Sequence, residues 1–160
     1  MKNTMAFLCI FFSFQLLGQN KKDLKKYRVK SITEIITDFN GGKETKRYDV
    51  QKKLDDNGNV IEEVNFDKKG NIQNKIFSKY NSEKDKVEEI LQDANGKQLS
   101  REVYKYDVNG EKKEEWKYND LNVLESKYIY TIDGKGFRTE RKTLDAQGKT
   151  IQIKKYIYGN

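Results

Sequence analysis

The sequence predicts an all-β protein, an antiparallel meander of about ten strands built from 26-residue hairpin repeats. Three observations carry that prediction. The phrase Tyr104-Lys105-Tyr106-Asp107-Val108-Asn109-Gly110 recurs in degenerate form along most of the chain. The positions that close its turns (Gly58, Gly70, Lys84, Gly96, Gly110, Asn122, Gly136 and Gly148) are spaced 12, 14, 12, 14, 12, 14 and 12 residues apart, so the true period is 26. Segments of eight residues (Asn59–Phe66) and ten (Asn71–Tyr80) separate successive turns, lengths that suit strands and are too short for helices.

Composition sets the frame. A chain of 160 residues predicts one domain. Charged residues make up 36% and apolar ones 35%, with no proline. An apolar fraction that low, beside 12% aromatic residues, points to a thin structure with much solvated surface rather than to disorder. The chain has no histidine, which excludes histidine catalysis and histidine metal sites.

The N-terminus reads as a secretory signal peptide over residues 1–18: Lys2, then an apolar run from Met5 to Leu17 too short to span a bilayer comfortably. The cut is placed near Gly18 or Gln19. Cys9 lies inside the apolar run, preceded by Ala6-Phe7-Leu8, without the small residue that precedes a lipidated cysteine. Cleavage removes that single cysteine, so the mature chain has no disulfides, and removes Lys2 but no acid, taking the net charge from +7 to +6. The expected location is secreted or periplasmic, with no stable membrane insertion after cleavage.

Residues 19–26 form a flexible basic lead-in, and the repeat domain occupies 27–160. Tyr27 to Phe39, with Val29, Ile32, Thr33, Ile35, Ile36 and Thr37, reads as a strand. Asp38-Phe39-Asn40-Gly41 turns it, and Glu44 to Leu54 returns; this first hairpin is irregular, as terminal repeats are when they cap an array. From Asp55 onward each turn opens on Asp or Asn, whose side chain bonds backbone two residues on, and closes on glycine, which takes the left-handed conformation. That pairing describes a type I turn with a G1 bulge. Asn122 tolerates the geometry. Lys84 resists it, so a longer or distorted loop is expected at Asn81–Asp85.

If the residue before each Asx shares one face, Leu54, Phe66, Tyr80, Gln92, Tyr106, Tyr118, Ile132 and Leu144 line it. Stepping back by two adds Val64, Ile90, Tyr104, Trp116, Tyr128 and Tyr130, with Tyr156 and Tyr158 on the last strand. The expected architecture is a twisted or rolled sheet, or an open barrel, with this aromatic face inside and its columns as the main source of stability.

Tyr104-x-Tyr106-Asp107-x-x-Gly110 resembles the YD repeat of the Rhs family. Val64-x-Phe66-Asp67-x-x-Gly70-Asn71-Ile72 is a second copy. Tyr128-x-Tyr130-Thr131-Ile132-Asp133-x-x-Gly136 is a variant with two residues inserted before the aspartate. The resemblance covers roughly Tyr48 to Tyr158. It implies β-hairpins that coil into sheets. Very long arrays of such repeats form shells around toxin domains, and this chain is far too short to enclose a cargo. The resemblance therefore speaks to fold and says little of function.

Among columns that could carry chemistry, Glu62, Glu88, Glu114 and Glu140 recur every 26 residues. They are expected mid-strand on the aromatic face, with Glu114 across from Tyr104 on one side and Tyr128 on the other. Paired carboxylates near aromatics can hydrolyse a glycosidic bond, or can grip a sugar or a cation. Alternatively they form a ladder satisfied by lysines and tyrosine hydroxyls. The Asx turns offer too few oxygen ligands in four residues for a calcium loop, so no metal site and no cofactor are assigned. The candidate binding residues are Glu62, Glu88, Glu114, Glu140, Tyr104, Trp116 and Tyr128. The functional expectation is a non-enzymatic exported binding or structural module at the cell envelope, whose partner is a protein or glycan and not nucleic acid. An immunity- or antitoxin-like partner of a toxin is one alternative, and a glycan-binding or glycan-hydrolysing protein using the glutamate column is another.

Overall fold

The computed structural model describes residues 21–40 and 42–159; the segment read as a signal peptide lies outside them. After a short helix α1 (Lys21–Lys26) come ten strands: β1 (Ser31–Asn40), β2 (Lys43–Leu54), β3 (Val60–Phe66), β4 (Ile72–Tyr80), β5 (Lys86–Asp93), β6 (Gln98–Tyr106), β7 (Lys112–Tyr118), β8 (Leu124–Ile132), β9 (Arg138–Asp145) and β10 (Thr150–Lys155). They form one antiparallel sheet in sequence order, β1 at one edge and β10 at the other. The sheet does not close into a barrel.

The turns follow from their sequence. At Asp107 the backbone N–H donates to the Glu111 carbonyl at 3.0 Å, and Gly110 N–H donates back to the Asp107 carbonyl at 3.0 Å. Asp107 Oδ1 accepts from the N–H groups of Asn109 and Glu111 at 2.9 and 3.0 Å. The same four bonds recur at Asp55, Asp67, Asp93, Asn119, Asp133 and Asp145. Gly110 has φ +79°, where an L side chain is strained.

The expected distortion at Asn81–Asp85 does not occur. Lys84 itself takes φ +71°, and Asn81 N–H still reaches the Asp85 carbonyl at 3.0 Å. The turn bonds outweigh the steric cost of one lysine in the left-handed region. The basic lead-in also differs from expectation, because Lys21–Lys26 is helical. It lies against the first turn: a Cβ on Gly58 would sit 3.1 Å from the Lys21 carbonyl oxygen. The carbonyl of Lys30, just beyond the helix, accepts from Leu54 N–H at 2.9 Å.

Each hairpin carries a register shift, and the shift decides which face a side chain takes. Tyr106 pairs with Lys112, yet Lys105 pairs with Glu114, so Lys113 is an extra residue in β7. Side chains alternate strictly along a strand, so one extra residue reverses the alternation beyond it. The expected single aromatic face is therefore split. Leu54, Tyr80, Tyr104, Tyr106, Tyr128, Tyr130 and Ile132 share one face, here the Tyr104 face. Phe66, Gln92, Trp116, Tyr118 and Leu144 share the other, the Trp116 face.

No aromatic interior forms. With a single layer, both faces meet solvent, and the only buried apolar side chains among the described residues are Leu24, Leu54 and Tyr130, at 6%, 3% and 7% exposure. Stability comes from the backbone ladder and from side-chain pairs across neighbouring strands. A tyrosine anchor repeats along the Tyr104 face. Tyr80 hydroxyl donates to the Val60 carbonyl at 3.0 Å, Tyr106 to Lys86 at 2.8 Å, and Tyr158 to Arg138 at 2.7 Å. The position between them in the period is Ile132, which has no hydroxyl.

Candidate functional site

The glutamate column and Trp116 lie on the Trp116 face, at the centres of the short strands. Glu114 pairs in register with Lys105 and Ile129, and it is Glu115 that faces Tyr104 and Tyr128. The predicted neighbours of Glu114 are thus corrected by one residue, the residue the bulge inserts. Tyr104 and Tyr128 stand on the opposite face from the rest of the candidate set.

Around Glu114 the structure assembles a closed set of partners. Lys127 Nζ lies 3.1 Å and Lys105 Nζ 3.6 Å from its carboxylate, and Trp116 Nε1 donates to it at 2.8 Å. The two ammonium groups, brought in by β8 and β6, sit 4.7 and 4.6 Å from the indole ring. The indole lies beside two cations that share one carboxylate, which leaves the cluster with a net positive charge. Burial acts to raise the Glu114 pKa, but the Trp116 and Lys127 hydrogen bonds and the lysine charges outweigh it, and the net shift is downward. Glu88 is held likewise: Lys79 and Arg101 bond it at 2.5 and 2.6 Å and keep its carboxyl below the usual range. Glu140 lies between Thr131 and Lys155 in register. Glu62 lies between Lys53 and Phe77, beside a depression shared with Ser31, Thr33 and Gln51. A glycosidic general acid needs a carboxyl that keeps its proton near neutrality, and Glu88 and Glu114 are tuned the other way.

The Tyr104 face carries a second column that reading the glutamates alone misses. Lys86 bonds Glu89 at 2.5 Å, and Lys112 bonds Glu115 at 2.7 Å. Lys112 Nζ also sits 4.8 Å from the Tyr104 ring and 5.7 Å from the Tyr130 ring. Tyr104 hydroxyl donates to Glu102 at 2.6 Å, and Tyr130 hydroxyl donates to Glu115 at 3.2 Å. Burial, reinforced by these acids, pushes the Tyr104 phenol well above its ordinary pKa and Tyr130 up to about 12. One period later the pair becomes Arg138 and Arg141. Arg138 lies over the Tyr130 ring at 3.9 Å and Arg141 over the Tyr128 ring at 5.1 Å. The signal for this column is in the sequence, as Lys86, Lys112, Arg138 beside Glu63, Glu89, Glu115, Arg141, all at the 26-residue interval.

Among the described residues no cluster of three or more acidic, histidine or cysteine ligands could hold a metal ion. No helix among them is long and apolar enough to cross a membrane.

No family model matches the chain. No curated protein matches it significantly. Among solved structures, the chain is similar to TarM at 14% identity and a TM-score of 0.34, covering 82% of this chain and 22% of TarM. A mutant S. aureus TarM gives 12% identity, a TM-score of 0.32 and coverage of 81% and 22%. A porin-like protein from Bacteroides uniformis gives 11% identity, a TM-score of 0.33 and coverage of 78% and 82%. The chain thus spans about a fifth of the TarM length. At these TM-scores none of the likenesses bears on what the chain does.

Proposed function

We propose that this chain is a non-enzymatic, exported β-repeat protein that acts as a binding module at the cell envelope, its partner a protein or a glycan. The carrying observation is the single-layer sheet: both faces present half-buried tyrosine, tryptophan and charged side chains to solvent. Such amphipathic side chains offer large contact area with a polar handle. The absence of enzyme activity is part of the proposal. Its support is that Glu88 and Glu114 are each held ionised by two cations. Export is supported by the apolar run from Met5 to Leu17, and kinship with YD repeats by the Tyr-x-Tyr-Asp-x-x-Gly phrase.

The test is cosedimentation of the purified mature chain with isolated cell envelopes, alongside turnover assays on a polysaccharide panel. Saturable cosedimentation with no turnover is expected. Failure to sediment with any envelope fraction, or turnover abolished by Glu114→Gln, would overturn the reading.

A further inference from the structure

The repeat breaks at one place on the Tyr104 face. In two successive periods a cation is neutralised by an acid three residues on, Lys86 by Glu89 and Lys112 by Glu115. In the third period those positions hold Arg138 and Arg141, so the acid is replaced by a second cation. Among the described residues neither guanidinium forms an ion pair, and the Nε atoms of both are buried without a hydrogen-bond partner. Arg141 Nη2 donates to Gln152 Oε1 at 3.3 Å. Thr143, opposite Tyr128 and only 7% exposed, holds a buried hydroxyl oxygen that is also without a partner. Lys154 stands opposite Arg141 on β10. Glu115, the acid on β7 one strand beyond β8, is already taken by Lys112 and the Tyr130 hydroxyl.

Two guanidinium groups at that spacing repel one another, and their desolvated Nε donors cost free energy while unpaired. Stacking on Tyr130 and Tyr128 fixes the planes of the two groups, as guanidinium prefers on aromatic rings. What such an arrangement lacks is an acceptor carrying negative charge and several oxygens. Planar guanidinium forks match carboxylate, sulfate and phosphate oxygens in pairs. We infer that Arg138, Arg141 and Thr143 form a binding site for an oxyanion, on the Tyr104 face across β8 and β9. The inference rests on the binding-module reading and gives its ligand a chemistry. The open face leaves space for the oxyanion to be carried on a polymer, either as an acidic sugar or as a phosphate group.

Isothermal titration of the full mature chain tests this with three probes: oligogalacturonate, inorganic phosphate and neutral maltoheptaose. Arg141→Glu rebuilds the cation–acid pair of the other two periods, so it should fold as the parent does, which thermal unfolding checks. Arg138→Gln/Arg141→Gln is the second variant. Lys68→Glu, in an exposed turn, is the charge-matched control. We expect saturable binding of one or both oxyanion probes and none of maltoheptaose. Both arginine variants should weaken binding about tenfold or more, while Lys68→Glu stays within about twofold. Binding of oligogalacturonate alone assigns the oxyanion to a sugar carboxylate, and binding of phosphate alone assigns it to a phosphate group. Equal weakening by Arg141→Glu and Lys68→Glu would show diffuse charge attraction and overturn the site. So would silence with both oxyanion probes; if envelope cosedimentation persisted in that case, the oxyanion site would fail while the binding-module reading stood.

Discussion

Single residues in this chain answer to backbone geometry before anything else. Lys84 occupies a left-handed position that glycine fills in the neighbouring turns. Lys84→Gly is therefore expected to stabilise the fold by about 0.5–1 kcal/mol, and Gly110→Ala to destabilise it by about 1 kcal/mol, read from urea midpoints. Glu88 and Glu114 give a pH signature. Their folded pKa values lie below the ordinary glutamate value of 4.5, so their contribution is fully present above about pH 4.5 and is lost as pH falls through the folded values. Stability measured against pH should fall on the acid side, and Glu88→Gln/Glu114→Gln should flatten that limb. The turn residues were legible in the sequence because their bonds are local: Asp107 reaches only Asn109 and Glu111. The partners of Glu114 were not, because they depend on a strand register that a single inserted residue, Lys113, changes.

At the scale of the strand pair, the tyrosine anchor recurs at three of the four positions that the 26-residue period gives it. Tyr80 and Tyr106 at strand ends, and Tyr158 just past β10, each reach a carbonyl twenty residues earlier, and each bond is a neutral hydroxyl donor to a backbone acceptor. Tyr106→Phe should cost about 1 kcal/mol. The period also predicts a gain. Ile132 occupies the anchor position facing Lys112, so Ile132→Tyr should place a hydroxyl within reach of the Lys112 carbonyl and raise the urea midpoint. A fall in midpoint would show that the apolar contact of Ile132 outweighs a restored anchor. The strands themselves were legible, since the eight spaced turns delimit nine antiparallel segments and the Asp38-Phe39-Asn40-Gly41 turn adds the tenth. The two faces were not. A hairpin turn announces its glycine, but the extra residue after it leaves no mark beyond the interval of charges that sets Lys112 beside Glu115.

For the whole molecule, the outcome that matters is a sheet without an interior. A meander of aromatic-rich hairpins suggests closure, with one face hidden. Splitting the aromatics between two faces removes the reason to close, because no single face is apolar enough to be worth hiding. Charged residues at 36% then solvate both sides, and lysines and arginines lie over the rings that a core would have buried. The binding reading and the oxyanion site both require those faces to be accessible. Spin labels on Thr33→Cys and Gln152→Cys, in a chain lacking Cys9, measure this directly by placing one label on each edge strand. An open sheet with nine strand spacings of about 4.8 Å predicts a separation of roughly 30–45 Å. A separation below about 20 Å would mean that the edges meet, and would contradict the account.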